Sequence, residues 1–246
     1  MNTYLEQIYD ENQLKDITYL IYKNFKNNKT ITNSFFDCCF DYPYEMIFGD
    51  EDIDASIYYL LKNYYKNEYF IKRSFYNKVL SKKESIVLFE LPLEKSRLDI
   101  ASVNGKAIAY EIKTEFDNLN RLENQINDYL LYFEYVYIIC NKEKVEEVFG
   151  LIPSEVGVYV YNEKITDNGY TLIKKASMNS NINIDKIISF IGKKDSRAYF
   201  KSIDQEYIKN TYSKDYIYNV FKQTFRKRYN KKSSIIKEKC EALKNV

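Results

Sequence analysis

The feature that most constrains this chain is a hairpin pattern centred on Asn104-Gly105. Residues 97–103 and 107–114 alternate in period two on either side of it. Side chains of a strand point alternately to opposite faces, and Asn-Gly supplies the left-handed backbone that a tight turn needs. A hairpin cannot bury its apolar face alone, so the chain must build a sheet and cover it. The flanking sequence offers the parts. Ile86-Val87-Leu88-Phe89 is a short apolar run ending near Pro92, and Tyr135 to Cys140 is a second buried-type strand. Val158–Tyr161 and Thr171–Lys174 bracket Asp167-Asn168-Gly169 as a further hairpin. Helical spacing joins Leu119, Leu122, Ile126, Leu130 and Phe133, with Asp117 as the expected cap. A long helix is expected from Asp54, as cap, to Leu80, and a short one over 143–149. Residues 1–53 read as helical pieces broken at Pro43 and at Gly49-Asp50-Glu51-Asp52, and the chain beyond Ile184 reads as helices. The order predicts one mixed α/β core dressed with helical extensions.

What the chain lacks narrows its chemistry. There is no histidine, which removes imidazole bases and ligands, and with them the Ser-His-Asp and Cys-His nucleophiles. Catalysis must run on carboxylates, Lys, Tyr, Ser/Thr, Cys or a bound metal. Cys38, Cys39, Cys140 and Cys240 show no zinc spacing and read as free thiols. No window reaches 18 uncharged apolar residues, and Met1-Asn2-Thr3-Tyr4-Leu5-Glu6 has no secretory character, so a soluble cytoplasmic protein is expected, with no membrane partner. The net charge of +2 is unevenly spread: residues 1–66 carry −5, residues 67–192 carry −2 and residues 193–246 carry +9. A basic C-terminal end suits phosphate-backbone binding, and a solvated lysine-rich helix face suits it equally well.

The hairpin itself carries a candidate site. Asp99 lies on its first strand and Glu111-Ile112-Lys113 on its second. A hard cation such as Mg²⁺ takes one or two carboxylates and leaves other positions to water and substrate phosphate. Asp99 and Glu111 form such a pair, with the Ile112 carbonyl as a third ligand. Lys113 follows on the same face as Glu111, where an ammonium could orient water or neutralise charge on phosphorus. Register decides whether this set exists. A two-residue turn at Asn104-Gly105 sends Asp99 and Glu111 to opposite faces. A three-residue loop, Val103-Asn104-Gly105, pairs Ser102 with Lys106 and Arg97 with Glu111 and puts Asp99, Glu111 and Lys113 together. The three-residue loop is the expected one. Leu98, Ile100, Ile108, Tyr110 and Ile112 then form a core side, and Ala101, Ala107 and Ala109 keep the site face small. Charged and apolar residues also alternate on any half-exposed hairpin, and D…ExK alone is common by chance.

The continuation, Thr114-Glu115-Phe116-Asp117-Asn118-Leu119-Asn120-Arg121-Leu122 and then Gln125-Ile126-Asn127-Asp128-Tyr129, carries a resemblance. From Arg97 to Tyr129 the chain resembles the PD-(D/E)XK nuclease superfamily, the restriction-endonuclease-like fold. More narrowly it is similar to an uncharacterised bacterial group with R-x-D, E-I-K-[ST] and Q-x-x-x-Y elements. The similarity extends faintly from about Asn67 to Phe200, and Leu98 stands where the name motif has Pro. The resemblance implies an α-β-β-β-α-β core over 67–200, between a helical region 1–66 and a basic helical extension 201–246. It implies an Mg²⁺-dependent deoxyribonuclease, with Mn²⁺ as a substitute. Asp99, Glu111 and Lys113 match the catalytic triad, Gln125 and Tyr129 match the helix motif, and Glu68 matches an acidic residue often found on the preceding helix. Arg97 and Arg121, two of only six arginines, are candidate phosphate clamps; an Arg97–Glu111 ion pair is the competing role. In the C-terminal end Arg226, Lys227 and Arg228 are candidates for the DNA backbone. Three alternatives stay open: an inactive nucleic-acid- or protein-binding module of a defence or mobile-element system, an RNA nuclease, and a homodimer or protein complex formed through the helical extensions.

Overall fold

In the computed structural model, residues 2–27, 31–40, 42–81, 84–161 and 169–242 are described. The chain falls into two compact units, 1–73 with 242–246, and 74–241.

The first unit is helical: α1 (Asn2–Ile8), α2 (Glu11–Lys26), α3 (Asn33–Phe40), α4 (Tyr44–Phe48), α5 (Ile53–Tyr64) and the start of α6 (Glu68–Phe75). Asp10 and Gln13 cap α2 reciprocally. Phe36 packs its ring edge-on to Tyr44 and Phe48, with centroids 5.1 and 5.4 Å away. The single helix expected over 54–80 is instead two helices and a π-helical turn, Tyr76–Leu80. Asp52, not Asp54, caps α5 by accepting the Ala55 N–H. The interruption falls where Tyr65 is extended and the Asn67 side chain accepts the Phe70 N–H, which starts α6 afresh. Tyr58 and Tyr59 are buried in α5, as packing residues should be.

The second unit is built on six strands: β1 (Ile86–Pro92), β2 (Arg97–Asn104), β3 (Lys106–Lys113), β4 (Tyr135–Asn141), β5 (Gly157–Tyr161) and β6 (Tyr170–Lys174). They lie side by side in sequence order. β1, β2 and β3 are antiparallel, β3–β4 and β4–β5 parallel, and β5–β6 antiparallel. Each parallel pair needs a crossover: α7 (Leu122–Leu130) links β3 to β4, and a 3₁₀ turn with α8 (Val145–Leu151) links β4 to β5. The chain continues as α9 (Ile184–Phe200), α10 (Gln205–Thr211) and α11 (Lys214–Ala242). β5 and β6 pair as the second expected hairpin, while Asp167 and Asn168 of its turn lie outside the described residues. No helix among the described residues is long and apolar enough to cross a membrane.

Both faces of the sheet are covered, so the alternation did not mark a dry side and a wet side. Ala101, Ala107, Ala109, Val136, Ile138 and Val158 share one buried cluster with Leu122, Ile126 and Tyr129 of α7 and with apolar residues of α9 and α11. The other face carries a row of aromatics: Tyr110 stacks on Tyr137 at 5.6 Å, and Tyr137 meets Tyr159 at 5.3 Å. Phe75 closes the row at 5.1 Å from Tyr110. Gly157 has no room for a side chain, since a Cβ there would lie against the Tyr137 ring and 2.6 Å from the Ala176 nitrogen.

Candidate active site

The hairpin closes over Gly105 alone. Asn104 pairs with Lys106 and Ile100 with Tyr110, so the three-residue loop and its Ser102–Lys106 pairing are corrected. Gly105 takes φ +67°, which lets one residue reverse the strand without Cβ strain. The two registers differ by two residues in total, so the parity is unchanged. Asp99, Glu111 and Lys113 still share a face.

That face is lidded by α7. Its first turn comes later than expected, because Asp117 does not cap it. The Asp117 carboxylate instead accepts from the Thr114 N–H and hydroxyl at 2.8 and 2.7 Å, tying the loop after β3, and α7 begins after Arg121. Gln125 and Tyr129, four residues apart on one helix face, then reach down to β3 together. Glu111 is the hub. Its Oε1 accepts from Lys113 Nζ at 2.9 Å and Gln125 Nε2 at 2.6 Å, and its Oε2 accepts from the Tyr129 hydroxyl at 2.7 Å. Lys113 Nζ also donates to Gln125 Oε1 at 2.9 Å. The Asp99 carboxylate accepts the Ile112 N–H at 2.7 Å. Asp99, Glu111, Lys113 and Tyr129 are all buried. Burial, and then the neighbouring Glu111 carboxylate, push the Tyr129 hydroxyl far above its ordinary range. It therefore stays protonated and serves as a donor.

One member of the cluster was not foreseen. Glu90 of β1 stands across the ladder from Asp99, between the Phe89–Ile100 and Leu91–Leu98 pairs. Its backbone is left-handed at φ +56°, uncommon for any residue but glycine. A carboxylate oxygen of Glu90 comes within 4.8 Å of one from Asp99. A β1–β2 register drawn from Pro92 and Arg97 would have found it. Glu90 also takes the partner expected of Glu111: Arg97 Nε lies 2.7 Å from Glu90 Oε2, on the exposed rim of β2. Asp99, Glu111 and Glu90 offer the hard oxygen donors that Mg²⁺ selects. Ile112 contributes its peptide N–H to Asp99 and pairs with Ile139 across β3–β4.

Glu68 opens α6 in the first unit, with Lys72 as an ion-pair partner one turn on. Arg121 is exposed ahead of α7, and Arg226 and Lys227 are exposed on α11. Lys227 Nζ lies 3.6 Å from Asp195. Arg228 is engaged inside the unit, donating to the carbonyls of Phe190 and Ile191 at 3.0 and 2.9 Å.

Comparison with known proteins places these residues in a wider set. Protein cII of Enterobacteria phage P4 is 33% identical over 95 residues, which cover 39% of this chain and 36% of that protein. The alignment thus spans little more than a third of that relative's length. A solved protein of unknown function from Silicibacter pomeroyi is 14% identical, with a TM-score of 0.36 over 52% of this chain and 88% of that one. The family model for bacteriophage P4 protein cII matches residues 61–245, a span that takes in the whole of the hub and the sheet beneath it. The chain belongs to the bacteriophage P4 protein cII family.

Proposed function

We propose that the chain is a metal-dependent nuclease of the PD-(D/E)XK type, acting on DNA in the cytoplasm. The observation that carries this reading is the buried hub of Glu111, Lys113, Gln125 and Tyr129, with Asp99 on the same sheet face. The order α6, β1, β2, β3, α7, β4 is compatible with the α-β-β-β-α-β core of that fold.

Asp99 and Glu111, with Glu90 beside Asp99, would hold Mg²⁺ or Mn²⁺, and the Ile112 carbonyl is the third ligand that the sequence suggests. When bound, the ion would lower the pKa of a water molecule and offset charge at phosphorus. The protein's own groups do the rest. Lys113 is held in place by two acceptors, Glu111 and Gln125, so its ammonium is pre-positioned to orient water and oppose developing negative charge. Tyr129 and Gln125 fix the Glu111 carboxylate, which otherwise would be free to rotate. Arg97, exposed at the rim, suits a phosphate of the substrate strand.

The test is cleavage of linear, circular and branched DNA with Mg²⁺ or Mn²⁺, with RNA as a parallel substrate. Wild type should cleave and Asp99→Ala should not; equal cleavage by the two, or none by wild type, sinks the proposal. A second reading, a non-catalytic binding module, draws support from Glu111 itself, because both of its oxygens already accept from the chain's own donors. Under that reading DNA binds equally well in EDTA and Mn²⁺ leaves the protein unchanged.

A further inference from the structure

We propose that the Arg97–Glu90 ion pair is an interlock that couples binding of a DNA phosphate to binding of the metal. The proposal rests on the nuclease reading above and concerns the regulation of that same site. Pairing of β1 with β2 sets the geometry. Phe89 lies opposite Ile100 and Leu91 opposite Leu98, so Glu90 stands across from Asp99, and Arg97 is its diagonal neighbour on β2. The side chains follow. Arg97 Nε lies 2.7 Å from Glu90 Oε2, and a Glu90 carboxylate oxygen comes within 4.8 Å of one from Asp99. Exposure rises along this line: Asp99 is 8% exposed, and the side chains of Glu90 and Arg97 are 41% and 68% exposed. The three groups thus run from the candidate metal cluster out to solvent.

Glu90 keeps its place at a conformational cost. Its φ of +56° is left-handed, which brings its Cβ close to the backbone. Strain of this kind persists only where the surroundings impose it, and it gathers at ligand clamps and switches. The carboxylate presented in this way has two competing uses. It can accept from the Arg97 guanidinium, or it can offer oxygen to a hard cation shared with Asp99. A guanidinium on Glu90 offsets the negative charge that the cation needs, so the two oppose each other there.

A phosphate relieves that opposition. The guanidinium fork matches phosphate as well as carboxylate, and Arg97 is the outermost of the three groups that an incoming strand meets. Once Arg97 turns to phosphate, Glu90 and Asp99 are left as neighbouring like charges, a pair that a divalent cation stabilises. Such coupling is reciprocal: phosphate strengthens metal binding by the same factor as metal strengthens phosphate binding. The ion pair itself sets the size of the effect. An exposed pair supports a change in affinity of about two- to fivefold.

The test is a pair of double-mutant cycles on the full chain, neither of which involves cleavage, with circular dichroism to check that each variant is folded. In the first, Mn²⁺ is titrated calorimetrically without DNA. Arg97→Gln should bind Mn²⁺ about two- to fivefold more tightly than wild type, and should bring no gain in the Glu90→Gln background. In the second, a short DNA duplex is bound in EDTA and followed by anisotropy. Glu90→Gln should bind the duplex more tightly by a similar factor, and should bring no gain in the Arg97→Gln background. A charge acting merely through space gives equal gains in both backgrounds. Equal gains, or no gain, in either cycle overturn the interlock and leave the metal site standing. A wild type that binds Mn²⁺ no better than Asp99→Ala removes the nuclease reading, and the interlock with it.

Discussion

Replacing Lys113 by Met tests whether the hub is held by a buried charge pair. Lys113 and Glu111 have side chains only 9% and 3% exposed, with Nζ 2.9 Å from Oε1. Deleting the ammonium leaves a buried carboxylate that keeps two neutral donors, Gln125 at 2.6 Å and Tyr129 at 2.7 Å. Breaking one side of a buried pair costs about 3–5 kcal/mol, and the surviving donors put this case near the lower end. Removing both charges, with Glu111→Gln added, should recover most of that loss and end within about 1–2 kcal/mol of wild type. The chain has no tryptophan, so urea unfolding is followed by far-UV circular dichroism. A Lys113→Met variant within about 0.5 kcal/mol of wild type, with a double variant that is merely additive, would show that no buried pair exists. If the double variant is stable and still fails to cleave DNA, the charges serve chemistry rather than the fold.

Three further outcomes are expected. Gly157→Ala should destabilise by about 1–3 kcal/mol, read as a lower thermal midpoint, because the new methyl meets the Tyr137 ring and the Ala176 nitrogen. Ala109→Leu should cost about as much, 1–3 kcal/mol, and should also lift Gln125 and Tyr129 away from Glu111, so that cleavage falls further than stability does. Tyr110, Tyr129, Tyr161 and Tyr218 all have hydroxyls raised well above their ordinary range by burial. Their stabilisation is complete below the unfolded pKa near 10 and is lost as pH rises toward the folded values, by about 1.4 kcal/mol per pH unit for each tyrosine. Urea midpoints that stay flat between about pH 10 and pH 11 contradict that account.

Much of the site could be read in the sequence because period-two parity survives an error in loop length. The pairing was misplaced by two residues, yet Asp99, Glu111 and Lys113 kept their common face. The four-residue spacing of Gln125 and Tyr129 was equally robust, since a helix that starts late keeps the same face. The features that were not legible depend on contacts between distant segments. Glu90 becomes interesting only once β1 lies against β2, and its left-handed backbone has no glycine to announce it. Asp117 reads as a cap by its position, but Thr114 offers two donors at shorter range. Arg228 reads as a free cation until the interruption at Gly192 leaves carbonyls for it to satisfy.

The tip of the β2–β3 hairpin has a consequence for the carboxylates at its far end. Glu134 accepts the Ala107 N–H at 2.6 Å, and Lys222 of α11 donates to the Gly105 carbonyl at 2.8 Å while lying 3.4 Å from Glu134. A slip of one residue at this turn would rotate Asp99 or Glu111 to the aromatic side of the sheet. The clamp forbids that slip, and half of it comes from a helix more than a hundred residues downstream of the turn. The facing of the two carboxylates is thus proofread by the C-terminal helix, so that a chain lacking α11 would keep every motif residue and lose the lock on their alignment.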